Sequence, residues 1–249
     1  NVRSRPLPAP LILQRGRRLV FDAPIMMGVV NVTPDSFSDG GQFTSVDQAA
    51  SHGLALEASG AQVLDVGGES TRPGSAPVST EEQIARVTPV IERIRAQTDV
   101  AISVDTTDAS VAAAALAAGA DLVNDISAFR FDDAMLPLLV RQGCPAIAMH
   151  TLAAPATMQN APHYDDVVRE VQDHLAQRVS AAVEAGVARS QLLIDPGIGF
   201  GKLLQHNLAL LRGLASFRAM GLGVVVGTSR KRFLGEVTGR PVHHRDPAS

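Results

Sequence analysis

The sequence predicts an α/β fold, a (β/α)8 TIM barrel with an N-terminal β-hairpin, and three observations support this prediction. Short runs that are apolar throughout alternate with amphipathic stretches along most of the 249 residues, as in parallel strands that helices cover. Seven such units follow one another, which favours a closed barrel over an open sheet. Polar, glycine-rich segments come directly after the strands, where the active sites of barrels lie.

The strands are predicted in order along a single domain, residues 1–249. Residues 1–23 form the hairpin, whose two short strands turn at Gly16 and could plug one end of the barrel, residues 24–249. The seven barrel strands are 25–30, 63–66, 100–105, 121–125, 146–150, 192–195 and 224–226. An eighth unit is not evident before Ser249, so we expect either a chain truncated at its C-terminal end or a barrel that closes unusually.

The helices between the strands have their own signals. The second begins at a capping box, residues 79–82, and then carries apolar residues at spacings of three and four. Gly60 and Gly119 end the first helix, which starts near Ser45, and the third. The fourth is expected near 132–141, the fifth keeps one face apolar between 168 and 183, and Asn207 is the expected N-cap of the sixth.

Bulk composition excludes several classes of protein. A net charge of −3 argues against a nucleic-acid binder. The apolar segments are shorter than the roughly 20 residues that cross a bilayer, so no membrane segment is expected. The single cysteine, Cys144, rules out an internal disulfide framework and is expected to be a buried thiol. A cytoplasmic location is the expectation.

Three polar residues that end apolar strands, Asp105, Asn124 and Asp195, form the most informative trio. A polar group at the end of a buried strand carries a desolvation cost unless something polar binds it. A flat heterocycle with an amino group beside a ring N–H would supply the partner, at about 1.5–3 kcal/mol for each charged hydrogen bond. The alternative is that Asp105 caps the following helix and Asp195 belongs to the turn before Pro196.

The glycine-rich loops after other strands are predicted to hold anions and to cover the ligand. Residues 197–202 have the spacing of neither a Walker loop nor a dinucleotide fingerprint, which leaves Phe200 to cover an apolar ligand face. Residues 229–231 (Ser-Arg-Lys) lie where the seventh strand turns into a helix, so backbone N–H groups and cations could hold an anion there. Arg72 adds a cation on the same rim, whereas Arg232 is expected on the surface.

Oxygen and imidazole groups on the same rim are candidate metal ligands. Asn31 and Asp35 are too few for a caged metal, but they suit a magnesium ion that is shared with substrate phosphates. The histidines do not have the spacing of a zinc site. His150 could support the site from the end of the fifth strand, and His174 is expected on a helix surface.

Seven motifs together resemble those of the dihydropteroate synthase family, and they are colinear with it from about Pro24 to Ser249. The motifs are NVTPDSFSDGG (31–41), DVGGESTRPG (65–74), SVDT (103–106), ND (124–125), MH (149–150), DPGIGFGK (195–202) and GTSRKRF (227–233). Two of them are ten residues or longer, so coincidence does not explain the match.

The resemblance implies a homodimeric barrel enzyme of folate synthesis, a target of sulfonamides, which condenses 6-hydroxymethyl-7,8-dihydropterin diphosphate with 4-aminobenzoate. It implies that the pterin binds to Asp105, Asn124, Met149, Asp195 and Lys231. It places the aminobenzoate against Phe37, Thr71, Pro73, Phe200, Ser229 and Arg230. The implied catalytic residues are Asn31, Asp35, Arg72 and Lys231, with Asn31 on the magnesium ion.

Two departures from the family pattern accompany the resemblance. The family's last strand brings an arginine and a histidine to the diphosphate; the chain ends before such a pair, and His243 and His244 have the wrong neighbours to replace it. Residues 151–154 stand where the family often has a glycine-containing loop. Two alternatives stay open: a corrinoid-dependent methyltetrahydrofolate methyltransferase, which would have no use for the loop 31–41, and a catalytically silent pterin-binding paralogue.

Overall fold

The computed structural model describes residues 7–32, 42–70, 75–154, 157–159 and 161–245, with the backbone alone at 42–44. Two strands, β1 (Leu11–Ile12) and β2 (Arg18–Leu19), form an antiparallel hairpin. The other strands form one curled parallel sheet in sequence order. They are β3 (Met27–Asn31), β4 (Val63–Gly67), β5 (Ala101–Asp105), β6 (Leu122–Asp125), β7 (Ala146–Met149), β8 (Leu192–Asp195) and β9 (Gly223–Val224). All seven predicted barrel strands are present.

Helices connect the parallel strands and cover the outer face of the sheet. They are α1 (Gln42–Ala58), α2 (Thr80–Arg95), α3 (Ala109–Ala118), α4 (Met135–Gln142), α5 (Val167–Ala185), α6 (Leu204–Arg212), α7 (Leu214–Arg218) and α8 (Arg232–Thr238). Parallel neighbours joined by helical crossovers are the repeating unit of a βα barrel. In the described part of the chain, no helix combines the length and the apolar character needed to cross a membrane.

The helix ends follow the predicted signals in α2 and α3 but not in α6. Ser79 accepts a hydrogen bond from the backbone N–H of Glu82 and caps α2, and Gly119 ends α3 at φ 116°. Asn207 was expected to cap α6, which is wrong, because that helix starts at Leu204. Asn207 is instead buried one turn inside the helix, where its side-chain oxygen accepts a 2.7 Å bond from the N–H of Gly199.

The inner face of the sheet carries two layers of side chains. Alternate residues of a strand share a face, and the register sets Asp65 beside Ser103 and Asp105 beside Asn124. The lower layer, near the beginnings of the strands, is apolar: Val63, Ala101, Leu122, Ile147 and Leu193. The upper layer, toward the carboxyl ends, contains Asp65, Ser103, Asp105, Asn124, Met149 and Asp195. The inner face of the sheet is therefore apolar at the beginnings of the strands and polar at their carboxyl ends.

The N-terminal hairpin covers the apolar end of the sheet, as predicted. Leu11 and Leu13 are buried in one cluster with the lower layer. Arg17 fastens the hairpin to the sheet by pairing with Asp121, which is completely buried and also accepts a 2.7 Å bond from Arg95. Removing one partner of a buried ion pair leaves an uncompensated charge, typically at a cost of about 3–5 kcal/mol. The hairpin is therefore bound both by apolar contact and by charge.

Candidate active site

The trio predicted from the sequence lies at the polar end of the sheet. Asp105 and Asn124 are paired residues of β5 and β6, and Asp195 is the last residue of β8, beside Met149 of β7. Asp105 does not cap the next helix, because Asp108 accepts the N–H groups of Ser110 and Val111 at the start of α3. The turn alternative applies in part to Asp195, whose Oδ1 accepts a 2.7 Å bond from the N–H of Gly197.

Asp65 is a member of this group to which the sequence analysis gave no role. The Asn124 side-chain N–H donates a 3.0 Å bond to Asp65 Oδ2, and Asp65 is buried. A carboxylate accepts only, so this bond fixes the orientation of the amide and identifies the other branch of Asn124 as its oxygen, an acceptor. Within the described residues, Asp65 Oδ1 has no hydrogen-bond partner. The pair acts as one oriented unit.

The carboxyl groups of this end are buried close to one another. Burial raises the pKa of Asp65. The pKa of Asp105 lies well above its ordinary value, first because of burial and then because the carboxyl groups of Asp65, Asp125 and Glu69 repel a further negative charge. Donors from a bound molecule would favour the ionised forms and offset part of this cost. The site is therefore poised for a ligand that is rich in N–H groups.

Lys231 supplies positive charge beside these carboxyl groups. It precedes the first residue of α8, and its ammonium donates to the backbone oxygen of Ile198 and lies 5.0 Å from the centroid of the Phe200 ring. Burial lowers the pKa of Lys231, and the nearby carboxylate of Asp195 opposes the shift. Burial raises the pKa of Asp195, which the Lys231 ammonium counteracts. Phe200, Lys231 and Asp195 therefore form one electrostatically coupled group.

Lys202 is a second buried cation that the sequence analysis left without a role. It is 4% exposed, and its ammonium contacts His150 Nδ1 at 3.0 Å, the oxygen of Phe200 at 2.8 Å and the oxygen of His150 at 3.4 Å. Burial lowers the pKa of Lys202 to about 7. A lysine in a glycine-rich loop is ordinarily exposed, so the sequence contained no signal for this position.

The loop between Asp195 and Lys202 is held against the end of β7 by its glycines. Gly197 has φ +69°, and a Cβ there would lie 1.9 Å from the backbone oxygen of His150. Gly199 has φ +85°, and its backbone accepts a 2.8 Å bond from Gln159. Tyr164 donates to the oxygen of Gly201 at 3.1 Å. Only glycine fits at 197, because any side chain would push the loop away from β7.

The remaining predicted residues fall in three groups. Asn31 ends β3 and is exposed, and Ser229 and Arg230 are exposed in a turn. The prediction that a helix starts at Ser229-Arg230 is wrong by two residues, because α8 begins at Arg232. Arg232 is exposed and pairs with Glu236, as expected for a surface residue. The others lie outside the described residues: Asp35, Phe37, Thr71, Arg72 and Pro73.

Two histidines lie behind the polar end of the sheet. His150 is buried and contacts Lys202, in agreement with the prediction that it supports the site from the end of a strand. Burial lowers the pKa of His150 to about 2. The prediction that His174 lies on a helix surface is wrong: its ring packs edge-on against that of His150 at 4.9 Å, and burial lowers its pKa to about 4. Both rings are therefore neutral near pH 7.

Comparisons with known proteins match this geometry. Residues 27–249 match the family model described as pterin binding enzyme. Dihydropteroate synthase of Mycobacterium leprae is 48% identical over 86% of this chain and 76% of its own length. The solved Xanthomonas albilineans dihydropteroate synthase with 4-aminobenzoic acid superposes with a TM-score of 0.91 at 47% identity, covering 97% of this chain and 86% of that one. A Yersinia pestis dihydropteroate synthase in a sulfonamide drug complex superposes with a TM-score of 0.89 at 40% identity. That superposition covers 96% of this chain and 86% of the Yersinia chain.

These similarities agree with the fold prediction. The seven parallel strands, the helical crossovers and the hairpin superpose on barrel enzymes over nearly the whole chain. The family match spans β3 to Ser249, which includes every motif quoted above. The chain belongs to the pterin-binding enzyme family and, within it, to the dihydropteroate synthases.

Proposed function

We propose that this chain condenses 6-hydroxymethyl-7,8-dihydropterin diphosphate with 4-aminobenzoate, which yields 7,8-dihydropteroate and diphosphate for folate synthesis. The observation that carries the proposal is the polar upper layer of the sheet. Asp105, Asn124 and Asp195 gather there from three strands, with Lys231 beside them. This is the arrangement that a flat ring with an amino group and a neighbouring N–H requires.

The pterin binds to this layer through its polar edges. Its amino group and ring N–H donate to the carboxylate of Asp195 and to the oriented oxygen of Asn124, and Lys231 donates to the ring acceptors. Asp105 and Met149 complete the pocket from the ends of β5 and β7. Each charged hydrogen bond contributes about 1.5–3 kcal/mol, which offsets the desolvation of the buried groups.

The reaction breaks the bond between the pterin methylene carbon and the diphosphate oxygen. The oxygen leaves with the electron pair, and the positive charge that develops on the methylene is delocalised into the pterin ring. The aniline nitrogen then forms the new C–N bond and loses a proton to solvent. No protein nucleophile is needed, so the protein's contribution is orientation and charge stabilisation.

The aminobenzoate lies in the neighbouring space above Phe200. Ser229 and Arg230, exposed in the turn before α8, contact its carboxylate. The family resemblance assigns Thr71, Pro73 and Phe37 to the aminobenzoate and Arg72 to the diphosphate, and these four residues lie outside the described part of the chain. Sulfonamides, which resemble aminobenzoate in shape, compete for this space. A cytoplasmic homodimer is part of the same proposal.

A magnesium ion is the cofactor of this proposal. Asn31 is exposed at the carboxyl end of β3, and its amide oxygen is a ligand type that suits Mg²⁺; Asp35, which lies outside the described residues, would support the ion. Mg²⁺ takes few protein oxygens when it shares substrate phosphates. When bound, the ion neutralises charge on the leaving diphosphate.

The test of this function is diphosphate release by the 249-residue chain with dihydropterin diphosphate and magnesium, with and without aminobenzoate. We expect release that depends on aminobenzoate and yields an equal amount of dihydropteroate. Pterin binding without release would indicate a catalytically silent protein, and the absence of pterin binding would overturn the proposal. A sulfonamide should raise the KM for aminobenzoate and leave the KM for the pterin unchanged.

Asp65 offers a prediction about how the pocket is oriented. In Asp65→Ala the Asn124 amide loses the acceptor that orients it, so we expect pterin binding to weaken by about 1–3 kcal/mol, which is about fivefold to 150-fold in Kd. The matched variant Asp65→Asn keeps an acceptor oxygen and should retain most of the affinity. Isothermal titration with the pterin measures both, and unchanged affinity in Asp65→Ala would remove the orienting role.

A further inference from the structure

We propose that Lys202 is a positioning residue for the pterin pocket, which in its charged form ties the loop after β8 to the end of β7 and thereby holds Asp195 and Phe200 in place. This inference rests on the proposed function. It concerns a residue that touches neither substrate, because its ammonium is enclosed by the protein itself.

The hydrogen bonds of Lys202 connect the loop after β8 with the residue that follows β7. Its three contacts are to Phe200, two residues before it in the same loop, and to the ring and backbone of His150, 52 residues away. An ammonium donates three hydrogen bonds and accepts none, so His150 Nδ1 is the acceptor and the ring proton lies on Nε2. The three contacts together take up all three protons of a charged Lys202, whereas a neutral amine would have only two to donate.

Buried Lys202 and half-buried Lys231 bind alternate carbonyl groups of one loop. Lys202 takes the oxygen of Phe200, and Lys231 takes that of Ile198. A Cβ on Gly197 would lie 3.3 Å from the Lys202 ammonium, which places that ammonium against the turn that follows Asp195. Phe200 is thus held at its backbone oxygen by Lys202, while its ring lies against the Lys231 ammonium.

Packing alone does not account for a lysine at this position. All three of its hydrogen-bond partners among the described residues are neutral, so the charge is buried without a bonded counter-ion. Burying a charge is costly, and a methionine would fill the same space without that cost. The attraction of the Asp195 carboxylate opposes the loss of the Lys202 proton. Lys202 in turn helps to keep Asp195 ionised.

Several charged and titratable groups surround Lys202. Its charged and titratable neighbours are Asp195 on β8, Lys231 before α8, His150 after β7, Arg130 after β6, His174 on α5, His206 on α6 and Tyr164. His150 and His174 are uncharged at neutral pH, since their pKa values lie at about 2 and about 4. The pKa of Lys202 is about 7. Raising the pH through this value deprotonates Lys202 and so removes a positive charge from the surroundings of Asp195.

The experiment is titration calorimetry with 6-hydroxymethyl-7,8-dihydropterin between pH 5.5 and 9. We expect the Kd of the unsubstituted chain to rise about tenfold as the pH passes through about 7, the factor that corresponds to losing one charged hydrogen bond. Lys202→Met should bind about tenfold more weakly at pH 6 and show no such step. Arg232→Met, which removes an exposed charge near the same end, should keep both the affinity and the step.

Each outcome decides the inference. Equal affinity and an equal step in Lys202→Met would overturn it, whereas absence of pterin binding by the unsubstituted chain at every pH would instead overturn the proposed function. If Lys202→Met does not fold, Lys202→Arg decides, because a guanidinium stays charged throughout this range. Loss of the step in Lys202→Arg supports the inference, and a step at the same pH contradicts it.

Discussion

Asp195→Ala is expected to lose measurable pterin binding. The variant removes the acceptor that we propose for the pterin's donor edge, and it leaves the charges of Lys202 and Lys231 without their carboxylate. Truncating one partner of a buried charged group typically costs about 3–5 kcal/mol, which is at least a hundredfold in Kd. The loss should appear in calorimetric titration with the pterin, and kcat/KM should fall by a similar factor.

A second substitution separates the charge of Asp195 from its place in the turn. Asp195→Asn keeps an oxygen for the N–H of Gly197 and removes only the negative charge. We expect it to fold normally and to bind pterin far more weakly than the unsubstituted chain. Asp133→Ala, an exposed carboxylate after β6, is the matched control and should bind normally. Near-normal affinity in Asp195→Ala would be incompatible with the proposed pocket.

Gly197→Ala is expected to disrupt the site through the backbone. The alanine must adopt a left-handed conformation, and its Cβ meets the backbone oxygen of His150 at 1.9 Å, so the loop has to move away from β7. That movement breaks the contacts of Lys202 and displaces Phe200. We expect kcat/KM to fall by about a hundredfold or more, the scale on which a misplacement of 1 Å acts.

Gly221→Ala is the matched control for this change. Gly221 also has a positive φ, +76°, but a Cβ there meets nothing within 4 Å. The control therefore carries only the backbone cost of about 1–2 kcal/mol and should keep its activity. Urea denaturation and initial rates on both variants separate stability from activity. Equal losses of activity in the two would show that the contact with His150 is unimportant.

The sequence predicted the parts of the fold that depend on local pattern. Apolar runs located all seven barrel strands, and the position of Asp105, Asn124 and Asp195 at strand ends placed them on one rim without any knowledge of register. The hairpin plug followed from two short strands before the repeating units. These features are set by residues that are close in sequence, so a pattern reveals them.

What the sequence did not reveal depends on distant contacts. The bond between Asp65 and Asn124 spans 59 residues, and that between Lys202 and His150 spans 52. Asn207 has the residue type of an N-cap, yet its side-chain oxygen accepts a hydrogen bond from the N–H of Gly199 in the preceding loop. No local signal distinguishes these side chains from exposed ones, because their burial depends on how separate segments of the chain pack together.

The upper layer of the sheet links occupancy of the pocket to the survival of the folded chain. Its polar groups come from separate strands between Asp65 and Asp195, so the pocket exists only when the sheet has formed as a whole. A molecule that binds there stabilises the entire native state, by about 2.7 kcal/mol at one hundred times its Kd. Scarcity of the pterin therefore enlarges the unfolded population, which cellular proteases degrade.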